Sequence, residues 1–499
     1  MSAAWQWLER FVATGDIAIS DSESLCWITA VELSRRIAAR DITPMEVAEA
    51  VLRRIEKVNP VLNAFVFHDP EQVLRDARRL TEDLTKRTTL PPLYGIPYSV
   101  KEVCAVAATP VTSGVVAFKD VVADRDEPVS ARLRASGGLF LGKTNIAEGG
   151  YKASSDNHLY GSTRNPWHPG MTAGGSSSGA GAAVAAGMGQ LAQGTDGGGS
   201  IRIPAALNGV VGFKPSLGRI PQTRLAGRFH TFAFHGPITR TVADAALMLT
   251  TMAGFDDEDP LSLPSDGVDY LAALDQPIES GRIAWSPDLG ITKCDSEIQG
   301  ICEEALVAFV EMGWTVEEDR PDWTDPAKTM WEGVWGPVYA GKLDAANWDD
   351  QAGHVDPELV QVIREGARLT TVQVQRADAA RGKMVDTLRE FLRRFDFLVT
   401  PVTTAQAFGH DEFCPSVLAG APLLERLMGW VLTYPFNMTT NPAISIPVGF
   451  TRNGVPVGLQ IVGRLRADAD VLRLAAAFEA VRPWAQRQPA GIVLNGKNP

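Results

Sequence analysis

Two kinds of periodicity alternate along the chain. Val47, Val51, Ile55 and Val58 recur at helical spacing behind Thr43-Pro44-Met45-Glu46. There a threonine cap, a proline at the first helical position and a glutamate three residues after the cap predict a helix start. Residues 29–32 (TAVE) repeat the capping-box spacing and predict another. These apolar stripes are packing faces and carry no chemistry. From Gly95 to about Arg240 the pattern changes: short apolar runs (96–100, 137–142, 209–213) alternate with glycine-rich and helical segments, as in an α/β core. Residues 282–286 (RIAWS) and 395–400 (FDFLVT) predict buried strands, with a helical pattern over 372–394. Residues 443–448 and 457–462 predict two strands joined by a turn at Arg452-Asn453-Gly454.

Trp314, Trp323, Trp331, Trp335 and Trp348 crowd the stretch 310–350 and read first as core aromatics, with a pocket wall or lid as the alternative. Length alone, 499 residues, suits about three average domains. No repeat, low-complexity tract or linker divides it, so 1–499 reads as a single domain. It has a helical N-terminal region to about 70, a core at about 95–240 and a Trp-rich region at about 310–350.

Composition narrows the function classes. Hydrophobic residues at 45% and charged residues at 21% belong to a globular chain. A net charge of −12 offers no positive field for phosphates, so nucleic acid is not an expected ligand. The five cysteines are scattered without a CxxC, which predicts neither disulfides nor zinc and fits a reducing compartment. The opening MSAAWQWLERF does not read as a signal peptide, and no run of about 20 apolar residues predicts a membrane span. A cytoplasmic location follows as the expectation. No HExxH or similar ligand spacing occurs, so neither a metal nor another cofactor is expected.

Two motifs mislead. Residues 137–144 satisfy G-x-x-x-x-G-K-[ST], but the variable positions Leu139, Phe140 and Leu141 read as a buried strand, and a phosphate-cradling loop must expose its backbone N–H groups. Residues 175–179 satisfy G-x-S-x-G around Ser177, with His230, His235, His354 and His410 downstream for a Ser-Asp-His triad. A nucleophile elbow follows a strand, whereas Asn165 to Gly170 reads as a loop.

The informative stretch is 174–215, GGSSSGAGAAVAAGMGQLAQGTDGGGSIRIPAALNGVVGFKP. Its glycine density lets backbone approach backbone or substrate closely. Gly197-Gly198-Gly199-Ser200 sets successive N–H groups beside a hydroxyl, the combination that acyl transfer needs. The segment resembles the signature of the amidase signature family of serine hydrolases. The likeness extends to residues 94–102 (YGIPYSVKE), to 141–145 (LGKTN) with Glu148, and to 441–447 and 454–460, covering roughly 43–481.

That resemblance implies an α/β fold with a mixed, largely parallel central sheet covered by helices on both sides. It also implies a triad of a lysine, a serine beside a cis peptide and a nucleophilic serine: Lys101, Ser176 and Ser200. Ser176 is chosen over Ser177 because 200 − 176 matches the family's separation of 24. Gly197, Gly198 and Gly199 are expected to line the oxyanion hole. The chemistry requires Lys101 to be neutral, hence desolvated. Asp196, Arg202 and Thr195 are read as structural.

Three positions depart from the family pattern: Ser178 for Gly, Gly197 for a larger residue and Glu102 for Asp. None removes a reacting group, and Gly197 is expected either to loosen the oxyanion loop or to admit a bulkier acyl group. The expected function is hydrolysis of small or aryl carboxylic amides, carbamates or esters by a stand-alone enzyme. The alternative is the glutaminase subunit of a tRNA-dependent amidotransferase, and a catalytically dead binding protein is the reading from another class. The expected partner is a small-molecule amide, with a homodimer left open.

Overall fold

The computed structural model describes residues 22–225, 227–342, 348 and 353–489. The opening MSAAWQWLERF and part of the Trp-rich stretch lie outside the described residues. The predicted helix starts are present. Thr43 caps Pro44–Leu62 with a complete capping box, and the Thr29 hydroxyl accepts the Glu32 N–H at the head of Ala30–Ala39.

Eleven strands form one sheet among the described residues: β1 (Phe65–Phe67), β2 (Pro97–Lys101), β3 (Leu139–Thr144), β4 (Leu191–Asp196), β5 (Val211–Lys214), β6 (Phe234–Thr239), β7 (Arg282–Trp285), β8 (Thr315–Glu318), β9 (Phe397–Pro401), β10 (Ala443–Phe450) and β11 (Pro456–Val462). Their order is β1-β3-β2-β4-β6-β5-β10-β11-β9-β7-β8. The sheet is mixed, with its parallel ladders in two blocks, β3-β2-β4 and β9-β7-β8, joined and flanked by antiparallel ones. Connections explain the difference. Helices Pro128–Ala135 and Ser296–Glu311 carry the chain back for the parallel pairs β2–β3 and β7–β8, whereas the short turn through Gly454 (φ 74°) forces β10 and β11 antiparallel.

Strand periodicity divides two cores. Ile283 and Trp285, Phe397 and Val399, and Leu459 and Ile461 enter the main core, which also takes Val47, Val51, Ile55 and Val58. The alternate residues Ala284, Leu398 and Val462 face the other way, onto Leu388, Phe391 and Leu392 of helix Thr371–Arg394. On that second face the small helix Ser178–Ala185 packs Ala180 and Val184 against Ala192, Ile201 and Ile238. Each large aliphatic side chain buried this way contributes about 1.5–3 kcal/mol.

The first decoy motif is β3 itself, with Gly137 (φ 80°) just past helix Pro128–Ala135 and Lys143 buried against the Cys104 carbonyl at 2.6 Å. Among the tryptophans, Trp314 packs on Phe397, Trp323 on Phe436 and Trp348 on Phe118, as core aromatics do. Trp335 goes to the site described next.

Candidate active site

Lys101 is the last residue of β2, which lies between β3 and β4. That position puts its side chain under the sheet's edge loops and out of solvent: its exposure is 0%. Nζ stands 2.8 Å from Ser176 Oγ and 2.8 Å from Thr195 Oγ1. The backbone is held as well, with the Lys101 N–H donating to Gln193 Oε1 at 3.2 Å. Burial, opposed by the nearby Asp196 and Glu102 carboxyls, pushes the ammonium down from 10.5 to about 7.

Ser176 follows a cis Gly175–Ser176 peptide in the loop before helix Ser178–Ala185. Glycine is required at 175, because a methyl group there would lie 2.0 Å from the Ser154 carbonyl oxygen. Ser177 is the N-cap of that helix, and its Oγ donates to the Thr195 carbonyl at 3.1 Å and accepts the Thr195 N–H at 3.2 Å. No histidine reaches it among the described residues, so the Ser-Asp-His arrangement lacks its base. The Ser177 N–H donates to the Ser200 carbonyl at 3.2 Å, which ties the loop of Ser176 to the loop of Ser200.

Ser200 is carried by the turn between β4 and helix Arg202–Asn208. Asp196 organises this turn. Its carboxylate accepts the N–H groups of Gly199 (2.7 Å) and Ile201 (3.2 Å) and pairs with Arg202 through two bonds, 3.0 Å from Nε and 2.9 Å from Nη2. Arg202 is completed by Gln460 Oε1 (2.6 Å), Asn437 Oδ1 (2.6 Å) and the Thr433 carbonyl (2.9 Å). Burial would raise the Asp196 carboxyl, but Arg202 and Asn437 overrule it and hold it down to about 2. The structural reading of Asp196 and Arg202 therefore has a geometric content: a buried, fully bonded pair that shapes the turn.

The three glycines divide. Gly199, at φ 133°, is confined by Thr433, whose Oγ1 would lie 2.1 Å from any added Cβ, and its N–H is committed to Asp196. Gly197, Gly198 and Ser200 make no N–H hydrogen bond among the described residues, and Gly198 and Ser200 line the pocket. The expectation that Gly199 contributes a donor is corrected accordingly, because the carboxylate three residues earlier takes its N–H.

Ser200 and Gly198 border a cavity of about 30 Å³ walled by Ile203, Met330, Trp335, Met428, Val431 and Tyr434, with Tyr151 and Lys152 also in its lining. Its one cationic side chain, Lys152, is paired with Asp156 (2.5 Å) and with Asp356. Nearby, His235 is fully buried between Cys104 and Glu127, with Nδ1 2.9 Å from Gln193 Nε2 and 3.7 Å from Cys104 Sγ, and with Nε2 3.5 Å from Glu127 Oε1. The two ring nitrogens face different partners, and the three side chains each bring one potential ligand atom to within 4.8 Å of the others.

Sequence reasoning missed Thr195 as a partner of the lysine, and it missed the pocket walls. The available signal was Gln193 and Thr195 at a spacing of two on one strand, which puts both on the side of β4 that touches Lys101.

The family model described as Amidase matches residues 46–472. The chain belongs to the amidase signature family. It is 50% identical over 468 residues to an acylamidase of Rhodococcus erythropolis, covering 94% of this chain and 98% of that relative. It is 32% identical to a glutamyl-tRNA(Gln) amidotransferase subunit of Dechloromonas aromatica, covering 92% and 98%. Among solved structures, a bacterial aryl acylamidase of the amidase signature family superimposes with a TM-score of 0.86 at 32% identity, covering 92% of this chain and 97% of that one. The protein is thus an amidase, an enzyme that hydrolyses amides.

Proposed function

We propose that the protein is a self-sufficient acylamidase that cleaves amides through an acyl-enzyme on Ser200, with Ser176 and Lys101 as the proton relay. The observation that carries this reading is the fully buried Lys101 Nζ, held between two hydroxyls at 2.8 Å each. A neutral amine has one lone pair and two N–H groups. Here the lone pair accepts from the Ser176 hydroxyl while an N–H donates to Thr195, so Thr195 fixes which way the base points.

Ser200 loses its proton through Ser176 to Lys101 as its oxygen attacks the carbonyl carbon. The oxyanion is met by N–H groups of Gly197, Gly198 and Ser200, each donor worth about 3 kcal/mol in the transition state. Collapse breaks the C–N bond, and the amine leaves with the proton returned along the relay. Water then enters, gives a proton to the same relay and attacks the ester carbon; the acyl C–O bond breaks, the carboxylic acid leaves and Ser200 takes the proton back from the relay.

The cavity walls favour a neutral, apolar substrate group, and the name of the 50% identical relative supports the same reading. Glutamine is the poorer fit, because its α-carboxylate finds no unpaired cation among the pocket residues: Lys152 is already paired with two carboxylates. Five free, buried cysteines are compatible with a reducing cytoplasm, and no helix among the described residues is long and apolar enough to cross a membrane.

The test is hydrolysis by the purified lone chain of an aryl anilide, a simple aliphatic amide and glutamine, each beside Ser200→Ala. Amine release from the anilide, absent in the variant and faster than ammonia release from glutamine, is expected. Activity only on glutamine, or only with an added partner subunit, would refute the proposal.

A further inference from the structure

The wall facing Ser200 is built in an unusual way. Pro326–Met330, Trp331–Trp335 and Gly336–Ala340 form one continuous helix whose middle turn is a π turn. In an α-helix, residues five apart point about 140° away from each other. The wider turn, closed by i to i+5 bonding, swings them back toward one side, so Met330 and Trp335 both reach the cavity.

Trp335 is then locked in place. Its ring meets Phe232 and Tyr339 with centroids at 6.2 and 5.5 Å, and the next residue, Gly336, touches helix Pro357–Gly366 so closely that a methyl group on Gly366 would lie 2.2 Å from the Gly336 carbonyl oxygen. The benzo edge of the indole lies over the oxyanion turn. A methyl group on Gly197 would stand 3.5 Å from the ring, and one on Gly198 3.7 Å. An alanine at 197 makes ordinary contact, whereas a branched side chain there and the indole compete for one space.

We propose that Trp335 sets the length of the acyl group that Ser200 accepts, closing the acyl pocket with an indole whose seat depends on the missing side chain at Gly197. This rests on the acyl-enzyme reading above. The wall that Trp335 forms beside Ser200 is assigned to the acyl side for a chemical reason: the acyl group stays bonded to Ser200 while the amine must leave and water must enter. The cavity of about 30 Å³ holds roughly two water-sized groups, which suits a short acyl chain.

The experiment measures kcat/KM of the full chain on 4-nitroanilides of acetate, butyrate, hexanoate and octanoate, for the wild type, Trp335→Phe and Trp335→Ala. Ser200 labelling by alkyl fluorophosphonates of graded length is followed in parallel by intact mass. The wild type is expected to fall by about tenfold or more from butyrate to hexanoate, since one methylene in a closed pocket commands at least that discrimination. Trp335→Ala moves the optimum to hexanoate or longer in both readouts, and the milder Trp335→Phe shifts it partway. Gly197→Val lowers all rates, and adding Trp335→Ala to it recovers those on long chains.

A length order unchanged in both tryptophan variants, with Ser200-dependent turnover intact, overturns this inference alone. A wild type that neither cleaves any anilide nor is labelled at Ser200 overturns the acyl-enzyme reading and this inference with it.

Discussion

Replacing Lys101 by methionine should destroy activity and, near neutral pH, stabilise the fold. The lysine is fully buried and its ammonium is pushed down from 10.5 to about 7. Each pKa unit is 1.36 kcal/mol, so the native state is penalised by about 4–5 kcal/mol at pH 7 relative to an unperturbed lysine. Methionine lifts that penalty but loses the bonds to Ser176 and Thr195, about 1–2 kcal/mol each, which leaves a net gain of about 2 kcal/mol.

The pH dependence isolates the cause. Between the folded pKa near 7 and the unfolded value of 10.5 the unfolded chain binds more protons at this lysine than the folded one, so the wild type gains stability as pH rises through that window. The variant, lacking the group, does not share the gain. Urea unfolding followed by tryptophan fluorescence at about pH 7 and about pH 9.5 should show its advantage shrink by about 3 kcal/mol. An advantage that is the same at both pH values, or a variant less stable than the wild type at pH 7, would refute the desolvation argument and with it the neutral base.

The same base sets the kinetics: kcat/KM on a good anilide should rise with a single-proton acid limb centred near 7, and a limb near 4 or a flat profile from 5 to 9 would speak against Lys101. Thr195→Val removes the acceptor that orients the lysine, and about a 10- to 100-fold loss in kcat with little change in KM is expected; an equal rise in KM would assign Thr195 to binding instead. Gly199→Ala drives a Cβ to 2.1 Å from Thr433 Oγ1 at a φ of 133°, so activity should drop by about 100-fold or more while circular dichroism is preserved, a result that near-wild-type turnover would contradict. Arg202→Met strands the Asp196 carboxylate and should cost about 3–5 kcal/mol in urea unfolding, whereas a loss below about 1 kcal/mol would show the pair to be dispensable.

Local chemistry was legible in the sequence wherever a short stretch carries its own physics. The Thr43 capping box, the strands 443–448 and 457–462 with their turn, and the glycine run ending in Ser200 are decided by neighbours a few residues away, through caps, alternation and backbone freedom. The family resemblance also named Lys101, Ser176 and Ser200 as candidates. Their meeting belongs to the tertiary structure. Lys101 and Ser176 are 75 residues apart and share a hydrogen bond because β2 lies beside β4, with the Ser177 N–H drawing the two serine loops together.

Burial of the lysine, and so the lowering of its pKa to about 7, follows from the sheet and the helices packed around it, since a lysine read in isolation is a solvated cation. The use of the Gly199 N–H by Asp196, the second hydroxyl on Lys101 from Thr195, and the selection of Trp335 from five neighbouring tryptophans as the pocket wall are likewise contacts between distant segments. Sequence patterns record which side of an element is apolar or which residue caps it. They do not record which element comes to lie against it, and desolvation, donor commitment and pocket shape are properties of that meeting.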